Sequence, residues 1–355
     1  MLNILKTLVL TLYLIGLFGT SAGFAQTWNR ANNPWNLAKY LTTYFDRLPL
    51  SAQIENQKLA WPANHWAHFE GGITYRWTAA NSEMFNYSSP NLAKLKMMTQ
   101  EQRDRLSPAE KYSILIRDYN YTLVKKIWNN ISEDDPNWNG ICHGVAPASV
   151  HYEEPQTVKY TNPDGVTLTF YSSDIKGLLS YYYAEVLRPN ARFIGLRCES
   201  NDFEFDVNKR CGDVHPASFH ILLTNFIGLR RKPLIADIDQ FTEVWNHVIV
   251  SYESYIVDEY PISENSAPHT QKRIRVQTSV RYASAITRQK MPVIGTEQAY
   301  YLDRSYDYYL DLDRQGRIVG GEWISQLRPD FVWDQPKGSL YGSWYHLLKV
   351  YKPIK

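Results

Sequence analysis

The sequence is poor in three things, and each scarcity narrows what the chain can be. It has three cysteines in 355 residues, too few for a disulfide-framed miniprotein, and the odd count leaves one thiol over if two pair. It has almost no net charge, with 38 Lys and Arg against 36 Asp and Glu. That balance gives no electrostatic footprint for nucleic acid. After the first 25 residues it has no apolar run near the roughly 20 residues of a membrane helix. Internal repeats and low-complexity tracts are absent too. Aromatic residues, by contrast, are plentiful (11 Trp, 26 Tyr and 13 Phe), enough for a large core or an aromatic groove. The length allows one large domain or two ordinary ones.

Residues 1–25 carry Lys6, an apolar run over 8–18 and small residues ending in Gly23-Phe24-Ala25. This pattern predicts a signal peptide cut before Gln26. The mature chain is then secreted, to an extracellular or periplasmic space, with no membrane span. Export makes a disulfide permissible and asks which cysteine stays free.

Residues 26–131 read as a mostly helical region, with apolar spacing of threes and fours over 37–48 and 110–128. Ser107-Pro108-Ala109-Glu110 has the residues of a capping box with proline in the first turn. After a polar link at 132–137, alternating or β-branched stretches predict strands over 166–171, 219–226, 234–238, 276–285 and 306–312. A helix over 173–186 interrupts them, and 261–272 reads as an exposed loop. The order predicts an α+β fold: a helical region, then a domain over 132–355 with a largely antiparallel sheet.

The densest chemical signal is WNGICHGVAPASV at 138–150. Cys142 lies two residues after Gly140 and precedes a segment able to turn helical, where helix amides favour the thiolate. Pro147 then requires either a helix that starts near Ala146 or an irregular opening turn. A cysteine nucleophile needs a base and a group that orients it. His220, on the predicted strand, is followed by a turn at 228–233 and a return strand carrying Asp237 and Asp239. Such a hairpin puts one of the two aspartates beside His220, and either register is allowed.

Cys198 and Cys211 read as a disulfide closing a short loop, which leaves Cys142 free. A zinc site from Cys211, His215 and His220 lacks paired ligand spacing. Asp311, Asp313, Gly316 and Glu322 follow the order of a calcium loop, but Gln315 breaks it and the flanks look like strands, so a tight turn is the better reading. No cofactor is assigned.

Several ordered blocks, among them WPANHW (61–66), GGITYRW (71–77), LSPAEKY (106–112), ICHG, CGDVHPASFHILLTN (211–225), EVWN (243–246), GGEW and RPDFVW, make the sequence resemble the transglutaminase elicitor family. The resemblance implies a papain- or transglutaminase-like catalytic core and a protein-glutamine γ-glutamyltransferase. It implies Cys142 as nucleophile, His220 as base and Asp237, ahead of Asp239, as third member. The implied partners are a protein glutamine as acyl donor and a lysine or other primary amine as acceptor. A papain-like protease and a non-catalytic host-recognition protein are the alternatives. Two departures stand out: His247-Val248 replaces the family's Gln-Pro after VWN, and Val145 follows CHG where Trp is expected.

Overall fold

The computed structural model describes residues 28–55, 59–77, 84–187, 190–197 and 212–354. The predicted signal peptide, Cys198 and Cys211 lie outside the described residues. In chain order the elements are β1 (Ser51–Gln53), α1 (Leu92–Met97), α2 (Gln100–Asp104), α3 (Pro108–Leu115), α4 (Thr122–Trp128), α5 (Cys142–His151), β2 (Val158–Thr161), β3 (Thr167–Phe170), α6 (Ser172–Tyr181) and β4 (Arg192–Gly195). There follow α7 (Pro216–Leu223), β5 (Leu234–Asp237), β6 (Asn246–Tyr260), β7 (Lys272–Ala283), β8 (Tyr301–Leu312), β9 (Ile318–Trp323) and β10 (Phe331–Asp334).

One sheet runs β4-β10-β5-β6-β7-β8-β9 with β1 added on β6, and its described pairings are antiparallel. The expected α+β class with a largely antiparallel sheet is therefore the observed one. Two hydrophobic cores form. One lies between this sheet, α7 and the turns near residues 28–54. The other gathers α3, α4, α6, Ala148 of α5 and the segment 340–350. No helix among the described residues is long and apolar enough to cross a membrane.

Local chemistry explains many of these elements. Ser107 and Glu110 close the capping box at the start of α3, with Pro108 at its first position. The stretch 37–48, expected to be helical, instead runs between short 3₁₀ turns at Pro34–Asn36 and Phe45–Arg47. α3 is fastened to α6 by the fully buried pair Lys111 Nζ and Asp174 Oδ2, 2.6 Å apart. Trp77 Nε1 donates to the other Asp174 oxygen at 2.8 Å, so both carboxylate oxygens are satisfied.

The sheet has two distinct faces, fixed by register. Asp237 lies opposite Asn246, and Val248 lies opposite Ala283. Thr278 lies opposite both Ser254 and Tyr306, and Tyr308 opposite Val276. Alternation along the strands then sends Asp237 and Asn246 to one face and Ser254, Thr278 and Tyr308 to the other.

Candidate active site: a cysteine cleft between helix α5 and the sheet

Helix α5 begins at Cys142 itself. Its first turn is tightened, because both Gly144 N–H (2.8 Å) and Val145 N–H (3.0 Å) reach the Ile141 carbonyl. Pro147 sits in the second turn, inside the helix. Of the two sequence-based alternatives, the irregular opening turn is the one adopted. Two glycines make the placement possible. A Cβ on Gly140 would come within 2.5 Å of the His65 carbonyl oxygen, and one on Gly144 would collide with the Ser180 carbonyl of α6. Gly144→Ala is therefore expected to lose about 1–3 kcal/mol of stability by forcing α5 off α6. Urea denaturation measures this, and an unchanged midpoint would contradict the close approach.

Cys142 is 9% exposed and lines a narrow cleft of about 30 Å³. Trp61, Trp245 and His65 form part of its walls. Asn246 Nδ2 lies 3.5 Å from Sγ, and Sγ is 3.6 Å from the Val244 carbonyl. Asn246 is itself oriented by Trp333, whose Nε1 donates to its Oδ1 at 2.8 Å. The environment pulls the thiol both ways. Burial pushes its pKa up, and the charge of Asp237 adds to that, whereas N–H groups of Asn246 and His143 favour the thiolate.

Asp237 is fully buried at the end of β5, directly across from Asn246. Trp245 N–H reaches Oδ1 at 3.3 Å, and Oδ2 has no hydrogen-bond partner. Burial first, then the neighbouring carboxyls of Asp330 and Asp239, push its pKa up to about 9. At neutral pH it holds a proton. The structure thus brings Cys142 and Asp237 together about Asn246. Asp239, the alternative third member, faces Arg304, with Nη2 and Oδ2 3.7 Å apart.

His220 is placed elsewhere, and the strand predicted for it is a correction. It lies on helix α7, fully buried, with Nδ1 2.8 Å from the Tyr308 hydroxyl and its ring stacked on Phe45. Tyr308 in turn meets Thr278 at 2.7 Å. These contacts are on the sheet face opposite Asp237 and Asn246. Burial alone pulls the His220 pKa down to about 3, so the imidazole is neutral. The histidines bordering the cysteine cleft are His65 and His247. His247 Nδ1 lies 2.9 Å from the Ala283 carbonyl. Sequence reasoning passed over His65, Trp245 and Asn246 as site residues, although they fall within the WPANHW and EVWN blocks. Val145, in the position where Trp was expected, also lines the cleft.

The calcium-like loop is a hairpin turn between β8 and β9. Asp313 accepts from the Gln315 and Arg317 amides at 2.9 Å and pairs with the Arg317 guanidinium at 2.7 Å. Asp311 accepts the Ala267 amide, and Glu322 pairs with Arg273. Asp313 and Glu322 are thereby spent on protein donors, while Asp311 Oδ1 lies 3.5 Å from Arg273 Nη1 without a hydrogen bond. Among the described residues no group of three or more His, Cys, Asp or Glu is arranged to hold a metal. His215 caps α7, accepting from the Ala217 amide at 3.3 Å.

The described chain is thus an α+β protein in which a buried cysteine opens helix α5 against a largely antiparallel sheet. The sequence model of the transglutaminase elicitor family matches residues 36–339, and the chain belongs to that family. Its structure is similar to the crystal structure of the GP42 transglutaminase from Phytophthora sojae, with a TM-score of 0.68. The two are 18% identical, over 92% of this chain and 98% of that one. At that identity the likeness establishes the fold. No curated protein matches the sequence.

Proposed function

We propose that the chain is a secreted protein-glutamine γ-glutamyltransferase in which Cys142 is the nucleophile and Asp237 its acid–base partner. The observation that carries this reading is the Cys142 thiol lying against Asn246, directly across the sheet pair from a buried carboxyl whose pKa is about 9. Proton transfer is easiest between groups of similar pKa, and a thiol raised by burial matches such a carboxyl far better than an ordinary aspartate. His220, docked on the other face, serves the core.

The reaction then closes on itself. Ionised Asp237 takes the thiol proton, and the Cys142 thiolate attacks the glutamine carboxamide carbon. N–H groups at Asn246 and His143, already directed at the sulfur, suit the negative charge that develops beside it. Asp237 returns the proton to the departing nitrogen, which leaves as ammonia, and a thioester remains. A lysine amine attacks the thioester, gives its proton to Asp237, and forms the isopeptide bond as the thiolate departs.

The cleft has room for roughly one water-sized group. Aromatic walls that keep bulk water from the acyl group disfavour hydrolysis of the thioester. Trp245→Ala is accordingly expected to shift the outcome from amine transfer toward deamidation by several-fold, read as the ratio of isopeptide to glutamate product by mass spectrometry. An unchanged ratio would contradict the water-excluding role. The proposal as a whole is tested by incorporation of a fluorescent primary amine into a glutamine-rich acceptor. Cys142→Ala is expected to incorporate none, and an active Cys142→Ala would end the proposal.

A further inference from the structure

Behind the cysteine cleft, at the far end of α5, lies a second and much larger cavity of about 670 Å³. Ser149 is common to the walls of both. The cavity is strongly cationic although the chain is nearly neutral. Lys39, Arg192, Arg230, Arg231, Lys232 and Lys337 face it, against Glu153 and Asp334. Arg192 is paired with Asp334 at 2.8 Å, and Arg230 donates to the Lys39 and Tyr40 carbonyls. Lys39, Arg231, Lys232 and Lys337 have no carboxylate partner among the described residues.

Three further features belong to this cavity. The positive charges of Lys337 and Lys232 both reach His151 in the wall and add to the lowering of its pKa by burial. Gln335, only 3% exposed in the same wall, has a side-chain amide nitrogen without a hydrogen-bond partner. Arg231 holds a φ of +53°, a left-handed backbone that glycine adopts at lower cost.

From this juxtaposition we infer that the cavity binds a compact multivalent oxyanion bearing several phosphate or sulfate groups, held chiefly by Arg231, Lys232 and Lys337. A guanidinium fork and two ammonium groups about a concave space suit tetrahedral oxyanions. The site is separate from the cysteine chemistry and does not depend on it.

Isothermal titration of the mature chain at low salt tests the inference, with inositol hexakisphosphate in one arm and a heparin-derived tetrasaccharide in the other. Saturable one-to-one binding is expected, weakening as salt rises. Binding of only one probe assigns the source as phosphorylated or sulfated. Lys232→Gln combined with Lys337→Gln should weaken binding by about tenfold or more, while Lys94→Gln with Lys96→Gln on α1 should leave it unchanged. Arg231→Gly relieves the backbone and should fold at least as stably yet bind more weakly, which separates loss of the ligand contact from loss of the fold. Absence of saturable binding to either probe, or equal affinity in the cavity variants, would overturn the inference.

Discussion

Asp237→Asn is expected to lower amine incorporation by about 10³-fold and, at the same time, to raise the melting temperature at pH 8 by about 2–4 °C. The two effects share one cause. A carboxyl with a folded pKa of about 9, against about 3.9 when unfolded, keeps its proton in the native state and loses it on unfolding. Between roughly pH 4 and 9 the folded chain therefore binds more protons than the unfolded one, and stability falls as pH rises. Asparagine carries no such penalty and fills nearly the same space. The stabilisation should accordingly be larger at pH 8 than at pH 5 by urea denaturation. Wild-type activity should climb with pH toward about 9, as Asp237 ionises. A stabilised variant that kept its activity would remove Asp237 from the chemistry. A variant destabilised at both pH values would contradict the unsatisfied Oδ2.

His220→Ala is expected to cost about 3–4 kcal/mol of stability. It deletes a ring stacked on Phe45 and leaves the Tyr308 hydroxyl without its imidazole partner. The rate at which iodoacetamide alkylates Cys142, per folded molecule, should stay within a factor of about two, because the imidazole is on the other face of the sheet. The sign of the pH effect also differs from that of Asp237. A histidine buried neutral, with a folded pKa of about 3, gains its proton on unfolding below about pH 6.5, so its contribution to stability falls as pH drops from there toward 3. His220→Gln should flatten this acid sensitivity. A folded His220→Gln chain whose Cys142 had lost its reactivity would place the histidine back in the reaction.

The different fates of these residues show what a sequence can express. Cys142 and Asp237 could be singled out in the sequence because each stands at the end of an element with clear punctuation: Gly140 two residues before the cysteine, and a short apolar strand closed by the aspartate. Helix α7 was misread as a strand because each of its residues is buried. A helix buried all round shows no polar face, and a short apolar run looks the same with either period. The cue that was present is Pro216 at the first helical position after the capping His215.

Strand β6 was missed for the opposite reason. Its burial pattern is interrupted by register shifts between Ile249 and Ser251 and between Ile256 and Asp258, and its outer half is exposed. With β6 unseen, Asn246 had no place in the site. Yet β6 is the strand that meets both Cys142 and Asp237, and its pairing with β5 is set by contacts distant in sequence. The helical expectation over 37–48 failed because that segment follows the sheet and α7, with the Thr42 amide and carbonyl both bonded to the Asn225 side chain.

The most direct measurement is the intact mass of the protein incubated with a glutamine donor peptide in the absence of any amine, followed by peptide mapping. The prediction is a covalent adduct of the donor mass less ammonia, located on Cys142, discharged when a primary amine is added and absent in Cys142→Ala. No adduct on Cys142 under conditions where the same preparation incorporates amine, or an adduct on another residue, would contradict the thioester and with it the proposed transferase.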